Sequence, residues 1–395
     1  MNEMPNLVFF DDESLKHLYP LTLTRPSANL LCGILTIAEK WSKYLNTSSY
    51  SYLTSEHLQA KFPLKSNDNN CFINGRLLPN TELIQAIKHL DDNASLMKGS
   101  QLLSCKGNQL HNNQAIQFEG DITLIDRTHQ LFTLNANQIK ADFELLCFNR
   151  VSQTLSSTNI KIGDYPVFLE AGAKIEASIL NTTEGPIYIG KDAEIMEGSM
   201  LRGPFALGEH GVVKMGAKIY SGTTVGAYSK VGGEVNNSVI FAYSNKGHDG
   251  FLGNSVLGEW CNLGADTNNS NLKNNYEAVK LWNYETANFE KTGLQFCGLI
   301  MGDHSKCGIN TMFNTGTVVG VSANIFGSGF PRNFVPSFSW GGAQGFETYS
   351  IKKAFQTATI VMGRRNQELT NLDQSILEYI FQLDSNYRTW EKNDK

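Results

Sequence analysis

Long apolar runs are missing from this chain. No stretch of about 18 uncharged apolar residues occurs, so no transmembrane helix is expected. Residues 1–5 lack the basic and apolar regions of a secretory signal, and a cytoplasmic protein is expected. A basic surplus is absent too. The net charge is −5, which gives no reason to expect nucleic acid or an anionic membrane as partner. Cysteines at 32, 71, 105, 147, 261, 297 and 307 show no paired or zinc-like spacing and read as reduced, buried side chains. Low-complexity tracts and long flexible linkers are lacking. What remains is 41% hydrophobic and 18% charged, the balance of a soluble globular protein, and 395 residues suggest two or more domains.

A six-residue repeat fills the second half. Ile189, Ile195, Leu201, Leu207, Val213, Ile219, Val225 and Val231 recur without a slip, and the phase returns in Met301, Cys307, Phe313, Val319 and Ile325. Six does not fit a helix of period 3.6. It is the period of the hexapeptide parallel β-helix, in which three repeats close one triangular coil. The aliphatic residue points inward and stacks on its equivalents. The glycine that often follows, as in Leu207-Gly208 and Val225-Gly226, lets the chain turn without a Cβ clash.

Residues 1–157 read as alternating strands and helices. Strands are expected at 7–10, 50–53 and 71–73, and helices at 34–45, 56–62 and 81–90 with Thr81 as N-cap. Such alternation predicts an α/β domain with a largely parallel sheet. The coil is expected over 158–330. Its phase lapses at about 234–251 and again at about 268–298, where an Asn- and aromatic-rich arm leaves it. Residues 331–395 form an extension in which Leu369, Leu372, Ile376, Ile380 and Leu383 make one face of an amphipathic helix.

His248 stands on the break between two runs of the repeat, in a polar loop running from Ser244 to Gly253. Irregular loops on rigid scaffolds carry function, and imidazole is the natural general base near neutral pH. Spacing alone fits a surface histidine equally well. The run from His248 to Ala265, with Phe251, Leu252-Gly253 and Asn262-Leu263-Gly264-Ala265, resembles the acetyltransferase half of the bacterial bifunctional UDP-N-acetylglucosamine pyrophosphorylase / glucosamine-1-phosphate acetyltransferases. That resemblance covers about residues 160–330. It implies a left-handed coil, a homotrimer with sites between neighbouring coils, and acetyl-CoA as cosubstrate. It also implies His248 as the base that takes the amine proton, Asn262 and Asn271 as sugar contacts, and Ala265 as a backbone contact to the acetyl donor. The chain departs from the family pattern at Asn236, where a phosphate-binding lysine is usual, and at Phe251, where a tyrosine is usual. Arg202, Lys214, Lys218, Lys230 and Lys246 lie upstream as substitute substrate-binding cations, although most such charges are solvated exterior groups.

The first half resembles sugar-phosphate nucleotidyltransferases. The segment from His17 through Leu18, Tyr19, Pro20 and Leu21 to Thr22 looks like the end of their nucleotide loop. The glycines expected before it are replaced by Asp11, Asp12 and Glu13, whose charges would repel phosphate unless a metal such as Mg²⁺ intervenes. Asp11, Asp12 and Arg25 are the nucleotide-binding candidates, with Asp11 and Asp12 as metal ligands. Arg76 stands where the family has a metal-binding Asp. The whole layout resembles a variant two-domain group of Bacteroidetes-type bacteria.

The expected function is acetyl-CoA-dependent N-acetylation of an amino-sugar phosphate, coupled to nucleotidyl transfer that gives a UDP- or dTDP-activated sugar for cell-wall or surface-polysaccharide synthesis. The alternatives are a nucleotidyltransferase whose coil only assembles or regulates, and a non-catalytic scaffold. A γ-class carbonic anhydrase needs two zinc-binding histidines close in sequence, and His210, His248 and His304 are far apart.

Overall fold

A computed structural model describes residues 6–110 and 114–392. The chain forms two units. One comprises Met1–Leu18, Thr24–Leu30 and Leu35–Arg127, and the other Tyr19–Leu23, Leu31–Ile34 and Thr128–Lys395. The repeat starts near Asn159, but the second compact unit already begins at Thr128. Among the described residues no helix is long and apolar enough to cross a membrane.

The first unit holds a six-stranded sheet in the order Tyr50–Leu53, Asn6–Phe10, Asn70–Asn74, Gln101–Gly107, Ala94–Lys98 and Gln114–Gln117. Asn6–Phe10 runs parallel to both neighbours, but Gln101–Gly107 runs antiparallel to the strand on either side. The sheet is therefore mixed rather than largely parallel. The cause is the tight turn after Lys98, where Gly99 sits at φ +59°: a connection that short makes a hairpin and cannot make a crossover. The Ile37–Tyr44 helix starts from a Thr36/Glu39 capping box. The Thr81–Lys88 helix is capped by Asn80, not by Thr81, because the Asn80 side chain accepts from the Leu83 amide at 2.8 Å. The helix at Glu56–Gln59 is shorter than expected.

The second unit is the left-handed parallel β-helix. Its three sheets have nine, ten and six strands. Ile187 pairs with Phe205 and Phe205 with Thr223, so a regular coil is eighteen residues long. Ile189, Leu207, Val225, Ile240, Leu257, Met301, Val319 and Val335 form one inward column, and all are buried. A Cβ on Gly208 would meet the Ala227 backbone nitrogen at 2.6 Å, so the close approach of successive coils requires glycine there.

Both lapses in the repeat have a structural cause. Val225 pairs with Ile240 and Ile240 with Leu257, so two coils are shortened but the ladder continues. Leu257 then pairs with Met301, and the intervening chain leaves as an arm bearing the antiparallel hairpin Lys280–Asn283 and Asn288–Lys291.

Two helices not foreseen from the sequence belong to this unit. Gln130–Cys147 lies on the coil, with Asn135 donating to Gly222 O at 2.8 Å and to Thr224 Oγ1 at 3.0 Å. Ile351–Gly363 precedes the expected amphipathic helix, which runs Asn371–Leu383 from a Thr370/Asp373 capping box. That helix buries Ile376, Leu377 and Ile380, with Leu369 buried just before it, but Leu372 is 42% exposed and does not join the face.

Candidate active site

The second sheet of the coil supplies one wall of a cleft. In its strands Lys230–Val231, Asn245–Lys246, Asn262–Leu263 and Lys306–Cys307, alternate side chains point in and out. Val231, Lys246, Leu263 and Cys307 point inward, and Lys230, Asn245, Asn262 and Lys306 line the cleft. The far wall is the end of the Ile351–Gly363 helix, with Thr357 and Val361, followed by Arg364 and Arg365. The cleft measures about 850 Å³, and His248 and Ala265 also line it.

His248, Asn262 and Ala265, predicted from one contiguous motif, therefore meet Lys230, named separately as a cation, in one place. His248 is exposed. Lys230 feels burial first and then the positive charges of Arg365, Lys214 and Arg364, all of which push its pKa down. No carboxylate lines the cleft among the described residues. Such a set of cations without a counter-charge is built for an anion.

Other predicted residues lie elsewhere. Asn271 donates to Asn254 Oδ1 at 2.8 Å and does not line the cleft. Arg202 and Lys218 are on the six-stranded sheet, facing Glu184 at 3.7 Å and Glu234 at 3.9 Å as exposed ion pairs. Lys246 is not a substrate cation as arranged. It is 1% exposed and occupies the inward column between Val231 and Leu263. Its Nζ donates to the carbonyls of His248 and, at 2.9 Å, Asp249. Burial lowers its pKa to about 8, against the opposing pull of Asp249 and Asp266. It ties the His248 loop to the coil interior.

Sequence reasoning missed Arg364, Arg365 and Lys306, which line the cleft. It also missed a ladder of rings along one corner of the coil. His210, Tyr228, Tyr243, Trp260 and His304 all have left-handed φ between +53° and +62° and stack in turn. Tyr243 and Trp260 line the cleft, their rings 4.1 Å apart. The signal was available in the sequence: these residues recur once per coil.

In the first unit, Asp11 accepts from the Ser27 amide at 3.0 Å, the Ser27 hydroxyl, and Thr54 Oγ1 at 2.5 Å. Burial pushes its carboxyl up. Asp12 receives Arg76 in a two-pronged pair, Nε at 3.0 Å and Nη2 at 2.6 Å, and Asn74 at 2.8 Å. Burial raises its pKa, but the Arg76 bonds and charge outweigh that and leave it lowered. Arg76 also pairs with Asp126. The expected repulsion in the acidic run is therefore relieved by Arg76. Both carboxylates are engaged by protein donors, an arrangement that does not fit a Mg²⁺ site built on Asp11 and Asp12. Arg25 is buried.

Residues 7–151 match the family model described as sugar nucleotidyl transferase. The first part of the chain is thus similar to that family over this segment. The chain is 36% identical over 87 residues to the bifunctional protein GlmU of Methanocaldococcus jannaschii, covering 22% of this chain and 21% of the relative. It is 28% identical over 145 residues to a bifunctional sugar-1-phosphate nucleotidylyltransferase/acetyltransferase of Sulfurisphaera tokodaii, covering 36% of each. It is 26% identical over 149 residues to the uncharacterized acetyltransferase YaiX of Escherichia coli, covering 37% of this chain and 64% of the relative. The chain thus spans under two thirds of the length of each of these relatives. The matches are likenesses to GlmU-like bifunctional proteins, at modest identity.

Proposed function

We propose that the protein is a transferase that N-acetylates an amino-sugar phosphate from acetyl-CoA in the His248 cleft, and whose first domain transfers a nucleotidyl group to the sugar 1-phosphate. The product is a UDP- or dTDP-activated N-acetylhexosamine for surface-polysaccharide or cell-wall synthesis. The observation that carries this reading is the meeting of His248, Asn262 and Ala265 with Lys214, Lys230, Arg364 and Arg365 in one acid-free cleft.

In this reading the sugar amine attacks the thioester carbonyl. The His248 imidazole takes the ammonium proton as the new C–N bond forms, and the C–S bond breaks to release coenzyme A. Asn262 orients the sugar, and the cations hold phosphate. The cleft lies on the outside of the coil, so a neighbouring coil in a homotrimer would complete it. A cytoplasmic location suits both acetyl-CoA and nucleoside triphosphates.

The test is thiol release from acetyl-CoA across a panel of amino-sugar phosphates, with pyrophosphate release from UTP or dTTP followed separately. His248→Ala is expected to lower acetyl transfer by about 10²–10⁴-fold with unchanged melting. Thiol release from no member of the panel would favour the coil as an assembly or scaffold element.

A further inference from the structure

A second cavity, of about 770 Å³, lies where the arm folds back over the coil. It shares no lining residue with the His248 cleft. Its apolar side is aromatic. Trp282 of the arm hairpin stacks on Phe334 of the coil at 4.2 Å, and Phe289 and Tyr387 set their edges against the same indole at 5.3 and 5.7 Å. Its charged side is formed by Lys273, Lys280 and Arg332, with no carboxylate in the described lining. The Trp282 indole N–H is buried and has no acceptor among the described residues. Buried indole N–H groups ordinarily find one.

The aromatic wall and the uncompensated cations call for a ligand with a flat ring and a compact negative charge. The volume lies within the usual range for small-molecule sites. We propose that this cavity binds the nucleotide part of a ligand, with the base against the aromatic wall and phosphate at Lys280 and Arg332. The moiety could come from a nucleotide or nucleotide sugar, or from the 3′-phospho-ADP end of coenzyme A. The site does not depend on His248 chemistry.

The test uses the full-length His248→Ala protein, so that failure of the acetyl-transfer reading leaves it intact. Uridine 5′-monophosphate, UDP-N-acetylglucosamine, adenosine 3′,5′-bisphosphate and coenzyme A are titrated separately by isothermal calorimetry. Lys280 and Arg332 are exposed, so Lys280→Glu with Arg332→Glu should fold as the parent does, checked by melting. At least one probe is expected to bind about tenfold or more weakly in that variant, because two charge-assisted contacts become repulsive. Trp282→Leu removes the flat wall and should weaken the same probe about fivefold, with folding checked by melting in the same way. Loss confined to the uridine probes assigns a nucleotide or nucleotide sugar, and loss confined to the adenosine probes assigns the coenzyme. Loss in both series supports a general nucleotide site. No detectable binding of any probe to the parent, or affinities within twofold of the parent for all four probes in both variants, would overturn the proposal.

Discussion

Lys246 is a charged residue in an aliphatic column. Its neighbours along the column are Val231 and Leu263, yet its Nζ is bonded to the two carbonyls that shape the His248 loop. Its ammonium is disfavoured in the folded state, where its pKa falls to about 8 from 10.5. Between those two values the unfolded chain binds the extra proton, so stability rises with pH through this window. The burial cost is present in full below pH 8 and gone above 10.5. Lys246→Met removes this dependence. The stability of the parent relative to Lys246→Met, from urea melts at stepped pH, should therefore rise by on the order of 1–3 kcal/mol between pH 8 and 10.5. A flat difference would mean that Lys246 is solvated. The same substitution should slow any His248-dependent turnover, because the loop loses its tether. At this scale the sequence was partly legible. His248, Asn262 and Ala265 sit in a contiguous motif, and the structure brings them together. Lys246 misled because its sign of charge is visible in the sequence but its direction is not: the shortened coil before it moves it into the inward phase.

The Ile351–Gly363 helix carries the far wall of the cleft. Arg364 and Arg365 follow its last turn and line the cleft with Lys214 and Lys230, where burial first and then their charges depress the Lys230 pKa. Nothing local in the sequence relates a dibasic pair near residue 365 to a histidine at 248, because tertiary packing alone joins them. Changing Arg364 and Arg365 together to Ala should leave melting within about 0.5 kcal/mol in stability, the usual range for surface substitutions. It should raise KM for the anionic substrate at least tenfold and flatten its salt dependence. Steady-state kinetics at two ionic strengths read both effects. An unchanged KM would remove these arginines from substrate binding. The strands were the more legible elements, since a six-residue period survives any surface sequence. The Gln130–Cys147 helix was not legible. Its polar Asn135 and Asp142 are buried within the second unit, which breaks the apolar stripe that a surface helix shows.

For the whole molecule, the coil leaves the cleft open on its outer face, and the proposed function needs a neighbour to close it. Sedimentation at micromolar concentration should give a homotrimer of 43.8 kDa chains. A monomer that still turns over acetyl-CoA would mean that one coil makes a complete site. Domain order was legible because the two halves follow different periods. The sheet order of the first unit was not, because a short apolar strand reads the same whether its neighbour runs parallel or antiparallel. Nor was the pairing of Arg76 with Asp12 and Asp126, which lie 64 and 50 positions away in the chain.

The stacked corner rings have an optical consequence. Tyr228, Tyr243 and Trp260 lie ring on ring at 5.1 and 4.1 Å, with the indole at the wall of the cleft. Light absorbed by the tyrosines passes down the stack to Trp260, whose emission depends on what fills the space beside it. The coil therefore carries its own reporter of cleft occupancy, placed there by the same backbone geometry that turns each corner.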